Sequence, residues 1–216
     1  MRPLTPLEAR VLGVLIEKQA TVPDTYPLSL NALLAGCNQK TARHPVIDAH
    51  EADLLVALEG LKALSLVFEG GGSRVVKFEH NTARVLHLPG AAVALLAVLM
   101  LRGPQTPAEL RLNTERLHRF ADISSVEGFL EELAAKPEPL AVKLARAPGE
   151  REARWAQLLC GPVAQPAARA VGDEEAMADV PAGELAAIKA EQLRLASEVA
   201  ELKTLVQRLA GELGIS

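Results

Sequence analysis

The sequence predicts a mostly helical α+β protein, with two tandem domains of similar plan followed by a C-terminal coiled-coil helix. Three observations support this class. Apolar residues recur at helical spacing along most of the chain, the order of the predicted elements repeats after about 75 residues, and a heptad pattern occupies the C-terminal end. The predicted segments are a first domain over 1–83, a second domain over 84–160, a linker over 161–181 and a coiled-coil helix over 182–214.

The first domain begins with three predicted helices. Thr5 is the predicted cap of the first helix, with Pro6 at its first position and Glu8 three residues after the cap, a combination typical of helix starts. The second helix is predicted over 28–37 and the third over 49–64, because each segment spaces its apolar residues along one helical face.

A predicted β-hairpin closes this domain. Strands over 66–69 and 74–78 flank three glycines at 70–72, and glycine supplies the positive φ that such a turn needs. Three helices followed by a hairpin is the winged-helix pattern, in which the third helix normally enters the DNA major groove.

The second domain repeats this order. Thr106 is the predicted cap of its second helix, and Ser124 or Ser125 is the predicted cap of its third. The two domains are therefore predicted to be tandem winged helices, although they share little residue identity. The predicted elements are helices over 91–101, 107–117 and 124–135, and a hairpin of strands over 140–146 and 151–159.

The C-terminal segment carries a coiled-coil seam. Its apolar residues alternate spacings of three and four, and valines at the a positions with leucines at the d positions favour two strands. We therefore expect a homodimer through this helix; the alternative is a helix that folds back on its own domains. The predicted dimerisation residues are Leu185, Ile188, Gln192, Leu195, Val199, Leu202, Val206, Leu209 and Leu213.

Charge and composition narrow the class of protein. The chain has 216 residues with 23 basic and 27 acidic side chains, a formal net charge of -4. Residues 1–83 contain 8 basic and 9 acidic side chains, and residues 84–160 contain 10 and 9, so neither predicted domain is a strongly basic module. The longest uncharged apolar run, over 91–101, is too short for a bilayer span, and no signal-peptide pattern occurs. Two cysteines without a paired motif fit a reducing compartment. We expect a cytoplasmic protein without a membrane segment.

The sequence lacks the common catalytic motifs. No pattern for phosphate binding, a zinc protease or a serine hydrolase occurs, and the five histidines fall on separate segments. We therefore expect no enzyme activity, no cofactor and no metal site. A deep pocket holding several of His44, His50, Glu51 and Cys37 would favour an enzyme instead.

Candidate DNA-binding residues lie outside the third helices. The N-terminal halves of those helices are acidic, with Glu51 and Asp53 in the first domain and Glu127 in the second, and DNA phosphates would repel them. Basic residues lie instead between the second and third helices and in the first wing, where two copies in a dimer would contact the DNA backbone. The alternative is that they are ordinary solvated side chains. The candidates are Lys40, Arg43, His44, Arg74, Lys77, Arg111, Arg116 and Arg119.

Six motifs carry a family resemblance. They are Tyr-Pro-Leu-Ser-Leu-Asn-Ala-Leu at 26–33, Gly-Cys-Asn-Gln-Lys at 36–40, Arg-x-Pro-Val at 43–46, Leu-Arg-Gly-Pro-Gln-Thr-Pro-Ala-Glu-Leu-Arg at 101–111, Thr-Glu-Arg-Leu-His-Arg-Phe at 114–120 and Pro-Gly-Glu-Arg-Glu-Ala-Arg-Trp at 148–155. Together they resemble the YceH-like family of uncharacterised bacterial proteins. The resemblance spans nearly the whole chain and implies a tandem winged-helix fold, but it implies little about activity.

Two hypotheses of function follow. In the first, the protein is a homodimeric DNA-binding protein, a transcriptional regulator, that contacts phosphates through 38–44, 111–119 and the first wing. In the second, it is a winged-helix adaptor that binds a protein partner without DNA, as the acidic third helices favour. A contiguous basic face would support the first hypothesis.

Overall fold

A computed structural model describes residues 1–70, 75–146 and 152–163. The chain divides into two compact units, 1–168 and 169–216, and all described residues belong to the first unit. The predicted coiled coil over 182–214 with its dimerisation residues, most of the predicted linker, and Arg74 lie outside the described residues.

The first half of this unit has the order helix, strand, helix, helix, hairpin. Its elements are α1 (Pro6–Thr21), β1 (Leu28–Ser29), α2 (Leu30–Cys37), α3 (Glu51–Ala63), β2 (Val67–Gly70) and β3 (Lys77–His80). The three strands form an antiparallel sheet with β3 in the centre. Phe78 of β3 pairs with Leu28 of β1 on one side and with Glu69 of β2 on the other.

The second half has the same order of elements. Its elements are α4 (Thr82–Val85), which joins the halves, α5 (Gly90–Arg102), α6 (Pro107–Asn113), α7 (Ile123–Ala134), β4 (Ala141–Lys143) and β5 (Trp155–Gln157). β4 and β5 pair antiparallel. Gln105, between α5 and α6, makes a single bridge to Trp155 of β5, and so takes the place that β1 has in the first half.

The predicted α+β class is confirmed. About half of the described residues are helical, in seven α-helices, and the strands form two small antiparallel sheets. Among the described helices, none combines the length and the apolar character needed to cross a membrane.

The core is built around α1 and α5, which pack against each other. Every residue of α5 from Ala91 to Leu101 is buried, as the uncharged run over 91–101 predicts. Leu12 and Leu15 of α1 are fully buried as well. A Cβ at Gly13 would lie 3.0 Å from the Leu101 side chain, so a residue without a side chain brings the two helices close together. The two halves therefore share one continuous core.

The start of α1 has the predicted cap residue, whereas the start of α7 has a different one. The predicted cap of α1 is confirmed: the Glu8 amide donates to Thr5 Oγ1 at 3.2 Å, and Glu8 Oε2 accepts from the Thr5 amide at 2.7 Å. The prediction of Ser124 or Ser125 as cap of α7 is wrong. Asp122 is the cap, because its Oδ1 accepts from the Ser125 amide at 2.7 Å. A carboxylate at this position satisfies the free amide and also favours the positive end of the helix dipole.

Several elements are shorter than predicted. α6 ends at Asn113 rather than at 117, and the Thr114 hydroxyl donates back to the Leu110 carbonyl at 2.7 Å; such local bonds compete with helix continuation. In the first hairpin the second strand begins at Lys77, three residues later than predicted, and ends at His80, two residues later than predicted. Strand pairing, which the spacing of apolar residues does not specify here, decides these ends.

Candidate nucleic-acid interface

Arg43 lies in the interior rather than on a DNA-facing surface. Its side chain is fully buried, and its two terminal nitrogens lie 2.6 and 3.0 Å from the carboxylate oxygens of Glu17 on α1. Its Nε also donates to the Gly36 carbonyl at 3.1 Å. This arginine therefore holds the segment after α2 against α1, and its guanidinium has no free edge for a phosphate.

The Glu17 carboxyl remains charged in this setting. Burial alone would raise its pKa, but hydrogen bonds from Arg43, together with the positive charges of Arg43 and Lys18, lower the pKa below its usual value. The pair is thus a charge-assisted, two-bond contact of the kind that arginine and carboxylates form best.

Lys40 and His44, which flank this pair, are exposed. The His44 amide donates to the Leu101 carbonyl at 2.8 Å, so the segment is anchored at the end of α5 while the imidazole remains at the surface. Of the three candidates in this segment, Lys40 and His44 are available to a ligand and Arg43 is not.

A cleft of about 350 Å³ lies where this segment meets α5 and α6. We call it the arginine cleft; its lining includes the charged residues Arg43, Arg102, Glu109 and Arg154 and the polar residues His44, Gln105 and Asn113. The cleft brings the first predicted basic segment beside α6, where the second predicted segment begins. Arg43 and Arg154 each form an ion pair with a glutamate, so Arg102 is the arginine of this wall that has no ion-pair partner among the described residues.

Arg102 and Arg154 are cleft residues that the sequence analysis did not select. Arg102 occupies the last turn of α5 and is half-buried. Its side chain makes no hydrogen bond or ion pair with any residue within 1–70, 75–146 and 152–163. Arg154 donates to Glu109 Oε2 at 2.8 Å and to the Pro104 carbonyl at 3.2 Å. A cation in a last helical turn is a sequence signal for Arg102, whereas Arg154 joins the cleft only through the folding of the hairpin.

The remaining basic candidates lie on or just after α6. Arg111, Arg116 and Arg119 are exposed. Arg111 donates to the Ala121 carbonyl at 3.1 Å, while Arg116 and Arg119 have no hydrogen-bond or ion-pair partner in the part of the chain that the structure describes. In the first hairpin, Lys77 is half-buried at the start of β3.

The outer faces of α3 and α7 are acidic, as the sequence predicts. On α3, Glu51, Asp53 and Glu59 are exposed, and on α7, Glu127 and Glu131 are exposed. The α3 face also exposes apolar side chains, with Val56 73% and Leu55 43% accessible. Neither helix presents a cationic surface to a DNA groove.

Two of the residues that would favour an enzyme, Cys37 and His50, have structural surroundings. Cys37 is fully buried in the core, and burial raises the pKa of its thiol to about 12, so it is not activated. His50 caps α3, its amide donating to Asp53 Oδ2 at 3.3 Å. No group of three or more histidine, cysteine, aspartate or glutamate side chains suited to a metal ion occurs among the described residues.

Fold and site together define an α+β protein of two similarly ordered helical halves, with an arginine-rich cleft beside the end of α5. The chain belongs to the family described as "Protein of unknown function, DUF480", whose model matches residues 4–150. This confirms the resemblance to an uncharacterised bacterial family that the motifs predict.

Proteins from Burkholderia are similar to this chain over its whole length. A UPF0502 protein of Burkholderia pseudomallei strain K96243 is 65% identical over 215 residues, covering 100% of this chain and 91% of the relative. A UPF0502 protein of Burkholderia cenocepacia strain HI2424 is 65% identical over 216 residues, and one of Burkholderia thailandensis is 65% identical over 215, with the same coverage.

Proposed function

We propose that this protein is a tandem winged-helix protein that binds duplex DNA as a cytoplasmic homodimer and acts as a transcriptional regulator. The arginine cleft carries the proposal. It places His44 of the first basic segment beside the Arg102 guanidinium, which has no anionic partner within the described residues.

The order of elements supports the winged-helix assignment. Each half has helix, strand, helix, helix and hairpin, and in each the last strand lies between the hairpin partner and the short strand or bridge after the first helix. In this arrangement the third helix of each half, α3 and α7, has an exposed face. In DNA-binding members of this fold, the third helix contacts the duplex.

The charges favour backbone contacts over base contacts. Carboxylates on α3 and α7 would lie against phosphates if either helix entered a groove, and like charges in contact are unfavourable. Arg102, Lys40 and Arg116 are among the accessible cations that would contact phosphate oxygens. Such binding carries little sequence information and depends strongly on salt.

Fluorescence anisotropy of the full-length protein with a random duplex, across a salt series, tests the proposal. We expect binding at low salt. We expect Arg102→Gln, Lys40→Gln and Arg116→Gln each to reduce the log–log salt slope by about 1.8, because a variant dimer, changed in both copies, neutralises two phosphates fewer than the wild type does. Arg84→Gln, an exposed arginine of α4 outside both the cleft and the basic segments 38–44 and 111–119, is the control and should leave the slope unchanged. Absence of binding at low salt would overturn the proposal.

The second candidate is a protein-interaction adaptor, and the outer face of α3 favours it. Exposed Leu55 and Val56 lie between the carboxylates of Glu51 and Glu59, a surface suited to a partner with apolar and basic side chains. The adaptor function would be supported if the protein binds no DNA and if Val56→Arg, but not Ala135→Arg at the exposed residue that follows α7, abolishes capture of a partner.

A further inference from the structure

Arg10 is a buried cation without an anionic partner. It lies on α1 with 3% of its surface exposed. Its two terminal nitrogens donate to backbone carbonyls, Nη1 to Cys37 at 3.0 Å and Nη2 to Pro45 at 2.6 Å. Its Nε has no hydrogen-bond partner, and within the described parts of the chain no carboxylate forms an ion pair with it.

The neighbouring arginines differ in this respect. Arg2 pairs with Glu8, Arg43 with Glu17 and Arg154 with Glu109. Burial, and secondly the positive charge of Arg43, lower the pKa of Arg10, which means that its surroundings disfavour the charge. A buried guanidinium is costly unless a negative group compensates it, and backbone carbonyls supply only partial charge.

Arg10 forms part of the wall of a cavity of about 420 Å³, which we call the Arg10 cavity. Its wall is mainly apolar and includes Leu7, Ile47, Leu99 and Met100. The volume falls within the range of roughly 300–1,000 Å³ of small-molecule sites, which combine an apolar lining with a few polar groups that orient the ligand. His44 lines both this cavity and the arginine cleft, but the two cavities differ in chemistry.

We propose that the Arg10 cavity binds a small organic monocarboxylate, with its carboxylate at the Arg10 end and its apolar body against Leu7, Ile47 and Met100. The carboxylate supplies the negative charge that no described side chain supplies. A single negative charge matches the single unpaired buried cation, and an apolar body matches the lining. A more highly charged phosphate ester would leave charge in apolar surroundings.

Calorimetry of the full-length protein with octanoate and with octanamide, at pH 7.5 and without DNA, tests this proposal. The two probes have the same chain length, and only octanoate is charged. We expect octanoate to bind at least tenfold more tightly than octanamide. No binding of octanoate, or equal binding of both probes, would overturn the assignment.

Two variants locate the site. Ile47→Trp, at a half-buried position on the cavity wall, places a larger side chain in the space of the ligand and should reduce octanoate affinity at least tenfold. Ile123→Trp, at an exposed position on α7, is the matched control and should bind as the wild type does. Unchanged binding by Ile47→Trp would show that octanoate binds elsewhere, and the proposal would fail.

Arg10→Met tests the charge directly. It should abolish the preference for octanoate over octanamide while leaving octanamide binding within about threefold, because the apolar wall is retained. Circular dichroism establishes whether this variant folds. If it does not fold, the probe ratio of the wild type and the Ile47→Trp result decide the question without it. Since none of these readouts involves DNA, their failure is separate from failure of the proposed DNA binding.

Discussion

The guanidinium of Arg43 and the carboxylate of Glu17 form a two-bond ion pair, 2.6 and 3.0 Å in length, between the segment after α2 and α1. Arg43 is fully buried and the Glu17 side chain is 15% exposed. Sequence position alone made Arg43 a candidate for phosphate contact. The structure instead makes it the residue that supports the surface on which Lys40 and His44 lie.

Replacing Arg43 should destabilise the protein more than it affects DNA binding. Arg43→Met leaves the largely buried Glu17 carboxylate with Lys18, at 3.2 Å, as its remaining ion-pair partner, and the expected loss is about 3 kcal/mol of unfolding free energy. Urea denaturation followed by circular dichroism measures it. In a double-mutant cycle with Glu17→Gln, the two losses should be far from additive; additive losses would mean that the pair is not coupled.

The same pair makes stability depend on pH in the acid range. Because the folded pKa of Glu17 lies below its unfolded value of about 4.3, the stabilisation is fully present above that value and is lost as pH falls through the folded pKa. Urea midpoints measured from about pH 7 down to about pH 2.5 should fall less steeply for Glu17→Gln than for the wild type. The Glu8 carboxyl, whose pKa is also lowered, first of all by its hydrogen bond from Arg2, keeps part of the dependence in both proteins. Identical slopes would count against the Glu17 assignment.

Two glycines in helices should respond to alanine in opposite directions. A Cβ at Gly36 of α2 would lie 2.6 Å from Val14 Cγ1, a fully buried side chain of α1, so Gly36→Ala should cost about 1–3 kcal/mol through overpacking. Gly128 of α7 has no atom within 4 Å of that position, so Gly128→Ala should stabilise by about 0.5–1 kcal/mol through helix propensity. Thermal denaturation of both variants checks the pair, and a Gly36→Ala protein as stable as the wild type would contradict the close packing of α1 and α2.

The cap of α7 can be assigned by three substitutions. Asp122→Ala removes the acceptor for the Ser125 amide and should lower the urea midpoint, whereas Asp122→Asn keeps an acceptor and should lie near the wild type. Ser124→Ala removes a hydroxyl that donates to Asp122 but no cap acceptor, and should have the smallest effect. A larger loss for Ser124→Ala than for Asp122→Ala would restore the serine as cap.

The predicted dimer is testable at the coiled-coil seam. Leu195→Asp and Leu202→Asp place a charge at d positions of the predicted seam, where a charge cannot be buried against a partner helix. Light scattering should then give the monomer mass in place of the dimer mass. Ser197→Asp, at an outward heptad position, is the control and should remain dimeric. A wild type that is itself monomeric would favour the alternative in which the helix packs on its own domains.

Local features of this protein were predictable from the sequence because they depend on neighbours a few residues apart. The Thr5–Glu8 cap, the buried run over 91–101 and the existence of both hairpins follow from spacing and turn chemistry alone. The end of α6, the cap of α7 and the ends of the hairpin strands were less well predicted, since several nearby residues offered similar local choices.

The candidate site depended on contacts that no local pattern contains. Arg43 and Glu17 are 26 positions apart, and the arginine cleft joins His44 to Arg102 and Arg154. The sequence by itself determined which segments are basic, which helices are acidic and where the apolar faces lie. Only the tertiary structure decided that Arg43 is held in an ion pair and that Arg10 has no anionic partner among the described residues, because burial and charge pairing arise when distant segments meet.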